Sequence, residues 1–167
     1  MCYNKIRGDD LKNELRKKFL KERDSLSDKY KIMSSNKIFK LLEKNSLFKQ
    51  AESIFIYIGF GSEIETESFI KKNLTSKIIY VPKIVNGDMK LVNITSWNNL
   101  KPGHFNVLEP ESDDYYTGSI DLVITPSIVF NKQGYRLGYG KGYYDRYFSK
   151  NNYKVSIGLS YDQLLQD

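Results

Sequence analysis

Cysteine and histidine are nearly missing from this chain, with one of each in 167 residues. The lone Cys2 lies in a polar N-terminal stretch, which removes both a disulfide framework and a thiolate metal site. With His104 as the only imidazole, a multi-histidine zinc site is excluded, and any Ser-His-Asp triad would depend on that residue. Long apolar runs are missing as well. No stretch approaches the roughly 20 residues that span a bilayer, and the charge-dense N-terminus has no apolar segment of the signal-peptide kind. The expectation is a cytoplasmic protein without membrane contact. Its length suits one domain that buries a core without disulfide or metal staples.

The formal net charge of +6 raises the question of nucleic acid. The basic residues crowd into the first 50 positions, but there they alternate with acids on what reads as helix. That pattern fits solvated helix surface plus a site for an anionic substrate better than an RNA-binding face. No nucleic-acid partner is expected, and the chain is expected to act as a monomer.

Helix and strand patterns alternate along the chain. Asp9 and Asp10 offer an N-cap before Leu11, Leu15 and Phe19, which recur every fourth residue in a charged background. A second helix from about Ser27 carries Tyr30, Met33, Ile38, Leu41 and Leu42 on or near one face. The run Ser53 to Ile58 is almost continuously apolar and β-rich, as in a strand buried on both faces. A short helix over Thr66–Lys72 and a strand over Lys77–Val81 follow. The turn Asn86-Gly87-Asp88 leads into a strand at Met89–Ile94. Thr95 to Gly118 reads as irregular; Asp121–Thr125 is another buried strand, Gly142–Phe148 a helix and Val155–Gly158 a last strand. The fold class expected is α/β: a three-layer, Rossmann-like single domain over residues 1–167, with a largely parallel central sheet flanked by helices.

The chemistry concentrates in Arg136-Leu137-Gly138-Tyr139-Gly140-Lys141-Gly142-Tyr143-Tyr144-Asp145. Alternating glycines let the backbone turn sharply and bring its N–H groups close to a ligand. Arg136 and Lys141 add positive charge, and Asp145 can hold a divalent cation against phosphate oxygens. The spacing is neither a Walker A loop nor the dinucleotide fingerprint. A helix opening near Gly142 would add its N-terminal amides and dipole to an anion site. In an open α/β sheet this tract and Gly59-Phe60-Gly61-Ser62-Glu63 follow strand ends and project onto one edge. Glu63 is either a site carboxylate or a helix-capping acid; Lys12 and Arg16, four residues apart, share one helix face. Trp97 reads as a packing residue and His104 as a surface histidine.

Taken together these residues are similar to the signature of the 5-formyltetrahydrofolate cyclo-ligase family. The resemblance runs through Pro126-Ser127, Phe130 and Gly134 to Arg146, and extends to Lys12-x-x-x-Arg16, Phe60-Gly61-Ser62-Glu63-Ile64-Glu65-Thr66 and Glu109-Pro110. It implies a ligase that uses ATP and magnesium to convert 5-formyltetrahydrofolate to 5,10-methenyltetrahydrofolate, through phosphorylation of the formyl oxygen. Carried over position by position, it places ATP on Lys12, Arg16 and the run Arg136, Leu137, Gly138, Tyr139, Gly140, Lys141, Gly142, Tyr143 and Tyr144. It gives Lys141 and Arg136 the catalytic charge neutralisation and Asp145 the magnesium. The folate falls on Ile58, Glu63, Tyr139, Gly140, Lys141, Gly142 and Tyr143, with Phe105 where relatives carry an aromatic near the pterin. Relatives continue past the equivalent of Leu165 through a segment bearing another acid, which this chain is expected to lack. Two other readings fit the residues: a different nucleotide- or phosphosugar-binding α/β enzyme, and a non-enzymatic basic interaction module.

Overall fold

The structure, a computed structural model, describes residues 8–103 and 106–167. Cys2, His104 and Phe105 lie outside the described residues, as does the side chain of Asp9.

The apolar runs become a six-stranded sheet in the order β10-β7-β1-β2-β3-β6. Here β1 is Ser53–Ile56, β2 Ile78–Val85, β3 Asp88–Ile94, β6 Tyr115–Tyr116, β7 Ile120–Thr125 and β10 Tyr153–Gly158. The pairs β1–β2, β1–β7 and β7–β10 are parallel, whereas β3 and β6 add antiparallel neighbours at one side. Two small hairpins stand apart: β4 (Leu100–Pro102) with β5 (Leu108–Pro110), and β8 (Val129–Phe130) with β9 (Arg136–Leu137).

The period-two geometry of a strand divides the core into two faces. Ile54, Ile56, Ile79, Val81, Leu122 and Ile124 pack with Phe39 of α2 (Asp28–Lys44), Phe48 of α3 (Ser46–Gln50) and Phe69 of α4 (Glu67–Asn73). On the opposite face Phe55, Tyr80, Leu91 and Val123 pack with Tyr147 of α5 (Tyr143–Lys150). The three-layer α/β expectation is thereby borne out. Full burial of each such side chain contributes about 1.5–3 kcal/mol, and the polar residues of the two central strands, Ser53, Asp121 and Thr125, stand at or next to their ends.

Several boundaries differ from expectation. The structure describes helix α1 over Gly8–Asp24, so the backbone of Asp9 and Asp10 is helical and neither residue is a cap. Ser27 does cap α2, accepting from the Tyr30 amide at 3.2 Å. Its buried side is Ser35, Phe39 and Leu42, while Met33 and Leu41 face solvent at 62% and 60% exposure. At 100° per residue those two fall on the far side of the helix. Strand β2 continues through Pro82, because β1 pairs with it only as far as Phe55↔Tyr80. Beyond Tyr80 the strand has an open flank where a missing N–H costs little. The span from Thr95 to Gly118, expected to be irregular, contains β4, β5 and β6.

At the amino ends of the parallel strands Asp121 ties the sheet together. Its carboxylate accepts from the Glu52 and Ser53 amides at 2.9 and 3.0 Å and pairs with Lys154. The Lys154 ammonium and these amides hold its pKa far below the usual carboxylate range. A depressed folded-state pKa contributes stability above the unfolded value of 3.8 that is lost as pH falls through the folded one. Asp121→Ala should therefore lower the unfolding free energy by about 2–3 kcal/mol at neutral pH, with a gap to wild type that shrinks in strong acid. Urea titrations at both pH values measure it; a gap that does not depend on pH would refute this account.

Candidate functional site

The carboxyl ends of β1 and β7 open onto one edge of the sheet, as the topology of parallel strands requires. After β1 the chain makes a compact loop. The Thr66 hydroxyl donates to the Tyr57 carbonyl and accepts the Gly59 amide, both at 3.0 Å. A Cβ on Gly59 would lie 2.5 Å from the Ile64 carbonyl oxygen, so the loop closes this tightly only with glycine there. Closure delivers Glu63 to the interior, 8% exposed, instead of to a helix cap.

After β9 comes the glycine tract. Gly140 and Gly142 adopt φ of +91° and +68°, in the left-handed region that favours glycine. Gly142 immediately precedes α5, leaving the first amides of that helix without a side-chain cap. The tract, Lys12 and Arg16 line a cavity of about 280 Å³. Its lining contains the whole set of residues expected to meet ATP, from Lys12 and Arg16 through Arg136 to Tyr144, together with Asp145. Arg16 Nε donates to the Gly138 carbonyl at 2.9 Å, tying α1 to the tract. Arg136 pairs with Asp145 and lies over the Tyr144 ring at 5.5 Å. Lys12 and Lys141 are both exposed in the cavity lining, and no ion pair of either is found among the described residues.

A second cavity of about 520 Å³ adjoins the first. Its walls are mainly apolar or aromatic, from Tyr57, Ile58 and Phe60 on one side to Ile84, Met89 and Leu108 on the other, with Glu63 as a buried carboxylate. Of the residues expected to meet folate, Ile58, Glu63, Tyr139, Lys141 and Tyr143 line it, while Gly140 and Gly142 line only the first cavity. Pro126, Tyr139, Lys141, Tyr143 and Tyr144 line both. Tyr144 also stacks on Phe55 at 5.9 Å, combining helix packing with a place in both walls. Trp97 packs against the core, as expected.

Burial pushes the Glu63 carboxyl above its ordinary range. The Tyr139 hydroxyl, donating to Oε1 at 2.6 Å, the Phe60 amide at 3.2 Å and the nearby Arg23 charge oppose that rise. Burial first, then the Glu63 charge, raise the Tyr139 phenol well above its usual value. Sequence reasoning missed Arg23. It is 4% exposed and donates to the Ser62 hydroxyl, the Ser127 carbonyl and the Tyr139 hydroxyl at 2.9, 3.1 and 2.7 Å. The signal was present: Arg23 continues the Leu15–Phe19 stripe by four residues, onto the side that faces inward. The Ile84 part of the wall was missed because strand β2 was expected to end before Pro82.

The arrangement juxtaposes a cation-rich cradle for phosphates with an apolar slot ending in a carboxylate. The wall between them carries a lysine and three tyrosines.

The family model described as the 5-formyltetrahydrofolate cyclo-ligase family matches residues 9–164. A Mus musculus 5-formyltetrahydrofolate cyclo-ligase is 29% identical over 153 residues, covering 83% of this chain and 74% of its own. The enzyme of that name from Mycoplasma genitalium is 30% identical over 155 residues, covering 90% and 85%. Among solved structures, the Aquifex aeolicus 5,10-methenyltetrahydrofolate synthetase superposes with a TM-score of 0.84 at 28% identity, over 94% of this chain and 81% of that one. A Mycoplasma pneumoniae 5,10-methenyltetrahydrofolate synthetase gives 0.67 at 29% identity, over 93% and 88%.

Proposed function

Since the chain belongs to the 5-formyltetrahydrofolate cyclo-ligase family, and is on that ground a ligase, we propose that it converts 5-formyltetrahydrofolate and ATP to 5,10-methenyltetrahydrofolate, ADP and phosphate. The observation that carries this reading is the wall shared by the two cavities, where Lys141, Tyr139, Tyr143 and Tyr144 border both. A phosphoryl group leaving a nucleotide in the first cavity meets an acceptor in the second without crossing solvent.

The pterin enters the apolar slot with its aminopyrimidinone edge toward Glu63, whose carboxylate accepts two N–H bonds. Apolar walls around Ile58 hold the ring and exclude water. The triphosphate lies in the cradle, its charge offset by Lys12, Arg16, Arg136 and Lys141, with the tract amides around it. The formyl oxygen attacks the γ-phosphorus and ADP departs. N10 then bonds to the formyl carbon and loses its proton, and the carbon–oxygen bond breaks to release phosphate. The protein contributes positioning and charge neutralisation; Lys141, on the shared wall, is placed to follow the γ-phosphoryl group.

The donor set suits magnesium. At the cradle's rim the carboxylate of Asp145 is exposed, and no group of three His, Cys, Asp or Glu side chains gathers among the described residues. A single carboxylate plus phosphate oxygens and water is the kind of shell magnesium takes. Asp145 would hold it there, and the ion would neutralise charge on the β- and γ-phosphates.

The reading implies a small-molecule partner and a cytoplasmic monomer that needs neither membrane nor nucleic acid; no helix among the described residues is long and apolar enough to cross a bilayer. The test is a spectrophotometric assay with ATP, magnesium and 5-formyltetrahydrofolate. Methenyltetrahydrofolate absorbance should rise only when all three are present. No rise, together with thermal stabilisation by phosphosugars and not by the folate, would replace this reading with that of a phosphosugar enzyme.

A further inference from the structure

Arg23 lies outside both cavity linings described above, yet it is the most buried charged side chain near the site. Its guanidinium makes no direct carboxylate contact among the described residues. Its charge is offset through two hydroxyl relays. The Ser62 hydroxyl accepts from Nε and donates to Asp24. The Tyr139 hydroxyl accepts from a terminal nitrogen at 2.7 Å and donates to Glu63 Oε1 at 2.6 Å.

A guanidinium can only donate. With Arg23 donating to the Tyr139 oxygen, the one phenolic proton is directed at Glu63, and Glu63 in turn must accept. We propose that Arg23 is a positioning residue for folate recognition: acting through Tyr139, it keeps Glu63 an ionised acceptor toward the N–H edge of the pterin. This rests on the folate reading of the second cavity.

The other groups facing Glu63 do not supply that bias. Tyr57 at the end of β1, Tyr144 on α5 and Tyr161 near the C-terminus are phenols that burial keeps neutral, and Tyr161 donates to the Glu63 backbone carbonyl, not to its carboxylate. Lys141 borders the same cavity from the exposed side, where solvent screens it. Asp24, reached through Ser62, and Glu109, in the wall of the same cavity, are themselves acids and would favour a neutral Glu63. Burial therefore presses Glu63 toward its proton, and Arg23 with Tyr139 presses back.

Calorimetric binding of 5-formyltetrahydrofolate and, separately, of ADP across the neutral and mildly alkaline range tests the proposal in four variants. Wild type should bind the folate with an affinity that changes little with pH. Arg23→Met should bind it about tenfold or more weakly at neutral pH, the order of one charge-assisted hydrogen bond, and recover as pH rises, with ADP affinity unchanged. Tyr139→Phe should show the same upward displacement of the pH midpoint, Arg23→Lys should restore most of the flat profile, and Glu63→Gln should bind weakly at every pH. Should Arg23→Met not fold, Tyr139→Phe and Arg23→Lys carry the comparison. A folate affinity in Arg23→Met or Tyr139→Phe that is equal to wild type, or reduced by the same factor at every pH, overturns the positioning role while leaving the folate reading intact. Absence of folate binding to wild type overturns both.

Discussion

Arg136→Ala and Lys141→Ala are each expected to lower kcat/KM for ATP by about 10²–10³-fold, the loss that follows removal of one preorganised group facing developing charge. The two should differ in kind. Of the two cavities Arg136 borders the phosphate cavity and not the folate one, and its guanidinium is held by Asp145 and the Tyr144 ring, so its removal should weaken ATP binding and leave the KM for folate near wild type. Lys141 borders both cavities and is exposed, a mobile cation that can follow the γ-phosphoryl group during transfer. Its loss should fall mainly on kcat. Steady-state kinetics with ATP varied at saturating folate separate these outcomes; unchanged constants would show that the charges serve another purpose.

Glu63→Ala should cost about 10²–10⁴-fold in kcat/KM for 5-formyltetrahydrofolate, since it leaves two pterin N–H groups desolvated without an acceptor. Apparent ATP affinity should hardly change. Glu63 also makes a prediction about stability. Because burial raises its folded-state pKa above the ordinary 4.5, folding takes up a proton between those two values. Its contribution is most favourable below the unfolded value and declines as pH climbs through the folded one. Glu63→Gln should therefore leave an enzyme poor with folate yet more stable than wild type at neutral pH, measured as a higher urea midpoint. A lower midpoint would mean that the hydrogen bonds from Tyr139 and the Phe60 amide outweigh the desolvation of the charge.

Local chemistry made much of this molecule legible from residues alone. Ser53-Ile-Phe-Ile needed two buried faces and received them, because an apolar run without alternation has no stable place at a surface. The glycine tract advertised sharp turns, and the structure gives positive φ at Gly140 and Gly142. Less legible were strands too short for a period to show. Strand β6 is two residues, Tyr115–Tyr116, and exists because β3 offers it a ladder, with Tyr116 stacked on Tyr80 at 4.3 Å. Pro82 misled for a related reason: whether a proline breaks a strand depends on which neighbours that strand has there, and sequence does not contain that information. Within the site, residues with charge in a recognisable motif were found, whereas Arg23 was hidden among the many bases of α1. Its importance comes from what it touches, 39 to 116 positions away in the chain.

Asp121 and its partners occupy one end of the parallel strands, and the two cavities occupy the other. The molecule thus has a mechanical pole and a chemical pole, separated by the length of the central strands. Changes that stiffen the first, such as a stronger clasp around Lys154, leave untouched the residues on which turnover depends. Natural variation and engineering alike can adjust heat tolerance at that pole without renegotiating how the ligands are gripped.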